Sequence, residues 1–310
     1  MSIIEKALKK AENEESKLNE LTHQQNEIDL QDNTQNGLLN KPVQDAKPNK
    51  LADHQNIILN QEKVDIDWKK LAALGFVTPD DVNTQTIEEY RNIKRPLVRN
   101  AFGDGSVGIV RPNLILVTSS IPGEGKTFTA INLALSIANE RDKQVLLIDA
   151  DVARPSVSKT LGIKSTPGLI DYLEDDDVSY SEIELVTNLP GLRVIPAGKL
   201  HKYSTELLSS NKMALFAEEL SKKYPDRIVI FDSPPLLAAT QGEVLAKLVG
   251  QVVLVIEAEQ TLQSMVMESV NKLSSCDIVL TVFNKTQASL GDRYYGYGYG
   301  YGTQYGKYTH

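Results

Sequence analysis

The chain has 310 residues, 41% of them hydrophobic, and a formal net charge of −8. That length can bury one large core or two small ones, and the acidic balance argues against a nucleic-acid-binding protein. One cysteine, Cys276, excludes an intramolecular disulfide framework and fits a reducing compartment, and four scattered histidines make no zinc site. In chain order, "IIEKALKKAENEESKLNEL" (3–21) puts Ile4, Ala7, Leu8 and Ala11 at helical spacing, which predicts an amino-terminal amphipathic helix over 1–21. Residues 22–60 are rich in Gln, Asn and Asp and too polar to bury a core, so they read as a linker. Residues 61–100 read as two helical pieces broken at "LGFVTPDD", where Pro79 opens the second. These pieces lead a domain expected over 61–290.

From residue 113 the pattern changes. "LILVTSS", "QVLLIDA", "LRVIPAG", "RIVIFDS", "QVVLVIEA" and "DIVLTVF" are short apolar runs rich in Val, Ile and Leu. Helical stretches over 126–140, 204–223, 240–249 and 261–274 separate them. Buried runs alternating with helices predict an α/β fold, a parallel sheet with helices on both faces. Ligands in such sheets sit at the carboxyl ends of the strands. The apolar runs fall well under the roughly 18 residues of a membrane helix, and no early stretch resembles a signal peptide.

The polar punctuation after the strands carries the chemistry. "SSIPGEGKTF" reads as a phosphate-binding loop, Ser120-x-x-x-x-Gly125-Lys126-Thr127, with Ser in the usual first glycine position. Gly123 and Gly125 permit the backbone angles that turn amide hydrogens toward an anion. Pro122, Glu124 and Phe128 complete the predicted ATP-binding stretch. Lys126 would reach the outer phosphates and Thr127 would ligate magnesium. "LLIDADVARP" ends a strand with Asp149 and Asp151, two apart and so facing the same way if extended, followed by Arg154. The pair reads as a cation or proton-transfer site, or as helix caps. "IVIFDSPP" ends a third strand with Asp232, which fits a second magnesium-holding element.

The chain closes on "YYGYGYGYGTQYGKY", which gathers Tyr294, Tyr295, Tyr297, Tyr299, Tyr301, Tyr305 and Tyr308 in a tail over 291–310. With the three motifs above, this tail resembles the bacterial tyrosine kinases, P-loop proteins, over roughly residues 83–310. "MSIIEKALKKAE", the linker and "LGFVTPD…EEYRNIKRPL" are similar to a subgroup encoded with exopolysaccharide and exosortase systems. The resemblance implies transfer of the ATP γ-phosphate to tail tyrosines, usually on a neighbouring subunit. It implies that Lys126 and the loop amides hold the phosphates and that Thr127 and Asp232 hold Mg2+. Asp149 and Asp151 would share magnesium positioning and activation of the hydroxyl, with Arg154 beside them. A ring-forming helix motif is matched by Glu88, Arg91 and Lys94, where lysine replaces an arginine and loses its planar fork. The implied partners are further copies in a ring, a separate transmembrane chain-length regulator and a tyrosine phosphatase, with no nucleic acid. The implied location is cytoplasmic, at the inner face of the membrane. The alternatives are a partition-type ATPase switch and an inactive scaffold with a Tyr/Gly sticker tail; the ATPase loop carries a second lysine, where "SSIPGEGKT" has none before Lys126, and the intact Lys126, Asp149, Asp151 and Asp232 argue against a scaffold.

Overall fold

The computed structural model describes residues 63–80, 85–140, 142–224 and 226–286, all within the unit Gln61–His310. The amino-terminal helix expected over 1–21, the linker 22–60 and the tail 291–310 lie outside the described residues.

Seven strands form one sheet: β1 (Leu114–Ser119), β2 (Gln144–Asp149), β3 (Leu185–Val186), β4 (Leu192–Ile195), β5 (Arg227–Asp232), β6 (Gln251–Glu257) and β7 (Ile278–Asn284). Their order is β3-β4-β2-β5-β1-β6-β7. Every pairing is parallel except β3 with β4, a two-residue antiparallel edge that sequence reading missed. The central strands β1 and β5 are buried along their whole length, as the continuous Val/Ile/Leu runs require. Alternate residues feed two cores: Ile115 and Val117 of β1 point to one face, Leu114 and Leu116 to the other.

The helices are α1 (Trp68–Ala73), α2 (Gln85–Phe102), α3 (Lys126–Ala138), α4 (Val157–Leu161), α5 (Leu169–Glu174), α6 (Tyr180–Ile183), α7 (Ser204–Leu208), α8 (Asn211–Lys223), α9 (Gln241–Ala246) and α10 (Gln263–Lys272). α3 is buried from Thr129 to Ala138 on all sides, because α2 packs over it. α2 contributes Ile87, Tyr90, Lys94, Leu97 and Ala101, a stripe at helical spacing. The segment before α2 belongs to the same core through Ile66, Leu71, Phe76 and Val77. Val77 N–H donates to Asn132 Oδ1 on α3 at 2.7 Å, and Val64 bridges to Thr187.

Two expectations differ in detail. The helix expected over 204–223 is two helices, because Ser210 starts α8 by accepting from Met213 N–H at 3.2 Å. α4, α5 and α6 were not predicted, since helices of four to six residues are too short to show a period.

Candidate active site

The loop from β1 to α3 turns on two glycines with positive φ, Gly123 at 96° and Gly125 at 94°. An added Cβ at Gly125 would lie 2.0 Å from Asn284 Nδ2, so that position is closed both by backbone angle and by space. Asn284, at the end of β7, donates from Nδ2 to Glu124 O at 2.9 Å. The Glu124 side chain is buried and faces the protein. It accepts from Ile121 N–H at 2.7 Å and from Thr261 Oγ1, which fastens the loop to the segment after β6. Ser120 is also buried, and its hydroxyl accepts from Ser269 Oγ on α10 at 2.9 Å. Phe128 turns into the core against Phe76, with ring centroids 4.7 Å apart. Of the predicted ATP-binding stretch, then, Glu124, Ser120 and Phe128 hold the loop from behind. Pro122, Gly123 and Lys126 face a cavity of about 480 Å³ that Asp151 and Arg154 also line.

β2 and β5 are neighbours in register, and Asp149 pairs with Asp232 at their carboxyl ends. Thr127, in the first turn of α3, donates from Oγ1 to Asp232 Oδ2 at 2.6 Å. Lys126 Nζ donates to Asp151 Oδ2 at 2.7 Å and stands 3.9 Å from Asp232 Oδ1. Burial opposes the lysine's charge, but Asp232, Asp151 and Asp149 outweigh it and hold its pKa above the ordinary value. Asp149 Oδ2 accepts the amides of Ser156 and Val157, both at 3.0 Å. Burial, with the Asp232 charge beside it, pushes Asp149 up to about 7, and burial pushes Asp232 up to about 6. Spacing alone had Asp149 and Asp151 facing the same way. The strand ends at Asp149, so the two part: Asp149 takes the amides that open α4, and Asp151 takes Lys126.

Asp149 Oδ1 and Asp232 Oδ1 are buried without a hydrogen-bond partner. Two orphaned carboxylate oxygens beside a threonine hydroxyl fit a hard divalent cation. Among the described residues no group of three or more His, Cys, Asp or Glu forms a ready-made metal cage. Magnesium keeps waters and takes only one or two carboxylates. Thr127, Asp232 and Asp149 are the residues that would hold it. Sequence reading missed Ser156, whose Oγ lies 3.1 Å from Thr127 Oγ1. It also missed Asn284, where a polar residue closing an apolar strand was the available signal.

The proposed ring-motif residues do not share one face. Glu88 and Arg91 are exposed and ion-paired. Lys94 is buried, donating to Ser136 O at 2.7 Å and pairing with Glu140 at 2.8 Å. Three-residue steps rotate backward around a helix, and by the second step the side chain has joined the buried stripe. The seven tail tyrosines lie outside the described residues.

A mostly parallel sheet with a glycine loop, a lysine opening the following helix and carboxylates at adjoining strand ends defines a P-loop nucleotidase. Residues 113–288 match the AAA domain family. The tyrosine-protein kinase YwqD of Bacillus subtilis (strain 168) is 34% identical over 228 residues, 73% of this chain and 91% of that protein. The tyrosine-protein kinase ptk of Acinetobacter johnsonii is 30% identical over 235 residues, 76% of this chain and 28% of that protein. In fold, the kinase domain of Escherichia coli ETK superposes with a TM-score of 0.62 at 24% identity, over 83% of this chain and 92% of that one. The chain belongs to the bacterial tyrosine-protein kinase family.

Proposed function

We propose that this chain transfers the γ-phosphoryl group of ATP to the tyrosines of its own tail, from Tyr294 to Tyr308, and does so between subunits. The observation that carries the reading is Lys126, fixed at the mouth of the cavity between Asp151 and Asp232, with orphaned carboxylate oxygens behind it. Magnesium held by Thr127, Asp232 and Asp149 would supply charge neutralisation for the phosphates. Lys126 and the loop amides hold the phosphates. The tyrosine oxygen attacks the γ-phosphorus, the bond from that phosphorus to the β–γ bridging oxygen breaks, and ADP leaves with its electrons. Asp151 lines the cavity whereas Asp149 is committed to amides, so Asp151 receives the phenol proton. Arg154, at the rim, steadies the transferred charge.

The physiological setting belongs to the same proposal. Similarity of the amino-terminal segment points to regulation of exopolysaccharide synthesis or export at the inner face of the membrane. There a membrane chain-length regulator would activate the kinase and a tyrosine phosphatase would reset it. No helix among the described residues is long and apolar enough to cross a membrane.

The test is incubation of the purified chain with ATP and magnesium, read by anti-phosphotyrosine blot and mass spectrometry. Lys126→Met should lower labelling by about a hundredfold or more while leaving the thermal transition in place. Wild-type-like phosphotyrosine in that variant would sink the nucleotide-site assignment. Nucleotide hydrolysis without any phosphotyrosine in the wild type would make the chain an ATPase switch instead.

A further inference from the structure

Part of the lining of the cavity at Lys126 is an apolar wall of small side chains: Pro234 and Pro235 after β5, then Ala238 and Ala239. Lys126, Asp151 and Arg154 also line the cavity, with Ala153. The apolar wall has no side-chain hydrogen-bonding group. It is also rigidly placed relative to the phosphate loop. Thr118 Oγ1 donates to Pro234 O at 3.0 Å. Leu236 N–H donates to Ser119 O at 2.8 Å, and Leu237 N–H to Ser120 O at 3.1 Å. Ala238 N–H closes a turn onto Pro235 O at 3.2 Å. A Cβ on Gly242 would lie 2.9 Å from Pro234 O, so the helix beneath packs tightly against the turn. Phosphate needs none of this apolar surface.

We propose that Pro234, Pro235, Ala238 and Ala239 form the seat of the acceptor tyrosine ring, and that the small side chains at 238 and 239 select a phenol over an aliphatic hydroxyl. This rests on the tyrosine-transfer reading above. A phenol lies flat on proline and alanine surfaces and carries its oxygen a ring's length from the backbone. Its hydroxyl then meets Asp151 and Lys126 while its backbone stays outside the rim. A serine hydroxyl sits one carbon from the backbone. To reach the same point it would drag peptide N–H and C=O groups against a wall that offers them no partner. Tyr297, Tyr299 and Tyr301 have glycine on both sides, so they carry no neighbouring side chain to strike the cavity wall.

The experiment uses the full chain with Ala238→Leu and Ala239→Leu, each filling the seat. Phosphotyrosine formation is followed beside titration of a fluorescent ATP analogue with magnesium. The leucine variants should transfer about tenfold slower or worse, with nucleotide affinity within about twofold of wild type. A chain with all seven tail tyrosines changed to serine should gain no phosphoserine. That arm does not depend on the folding of the wall variants. Unchanged transfer in both leucine variants, nucleotide affinity falling in step with transfer, or robust phosphoserine would each overturn the seat. Absence of phosphotyrosine in the wild type would strike the transfer reading itself and is seen before any variant is compared.

Discussion

Asp149 shows how one side chain can cost stability in the empty site. Its carboxyl is buried, takes two amides on one oxygen and leaves the other unpartnered. Its folded pKa, about 7, lies above its ordinary value of 3.8, so the folded chain holds the proton more tightly than the unfolded chain does. Stability from that proton is fully present below about pH 4 and is lost as pH rises through about 7. Asp232 acts in the same direction through about 6. Asp149→Asn keeps an oxygen acceptor for both amides and removes the charge. Without metal it should unfold at higher denaturant than wild type at pH 8, by up to about 4 kcal/mol, and match it only below about pH 4. An equal gap at both pH values, in EDTA, would refute the account. At this scale the sequence told which residues bear charge but not where each points. Nothing in "DADVARPSV" says that the strand stops at Asp149 and that the next turn folds its amides back onto that carboxylate.

α2 is the element that separates packing from assembly. Its buried stripe includes Lys94, which snorkels to the last turn of α3, while Arg91 stays on the exposed side with Glu88. Lys94→Ala should therefore lower stability by about 1–3 kcal/mol, since it strands the Ser136 carbonyl and leaves Glu140 unpaired. Arg91→Ala should leave stability within about 0.5 kcal/mol and shift the mass in light scattering toward the monomer. Loss of stability in Arg91→Ala with unchanged mass would reverse the assignment. The strands β1, β2, β5 and β6 and helix α3 were legible because both their faces are buried and their composition says so. α2 was legible as a helix but not in rotation, since charged residues occur at both buried and exposed positions. The short α4 to α6 and the two-residue β3 carry too few residues to leave a signal.

For the whole molecule, the proposed transfer between subunits makes a labelling prediction. A Lys126→Met chain mixed with an active chain lacking 291–310 should acquire phosphotyrosine on the inactive chain's tail. Label on wild type alone, with none in the mixture, would mean transfer within one chain. Each phosphotyrosine adds about −1.5 to −2 charges, so seven add on the order of −10 to −14 to a chain already at −8. Assemblies of such chains should loosen on phosphorylation, most of all at low salt. The meeting of three loops at one end of the sheet follows from the parallel βαβ pattern, which the sequence displays plainly, whereas the order of the strands was not legible in it. Which copy donates its tail is a property of several chains, and one chain's sequence does not encode it.

The Lys126–Asp151 ion pair has a consequence for how the site handles nucleotide. Before nucleotide arrives, the lysine already has an anion, and it is one of the enzyme's own. An incoming phosphate must evict that resident rival, so measured affinity is the difference between two grips on one ammonium group. The eviction also does something useful. On the proposed transfer reading, the carboxylate that loses its lysine is the one that receives the phenol proton, so arrival of the phosphate donor would unmask the proton acceptor. Priming and binding would become one event.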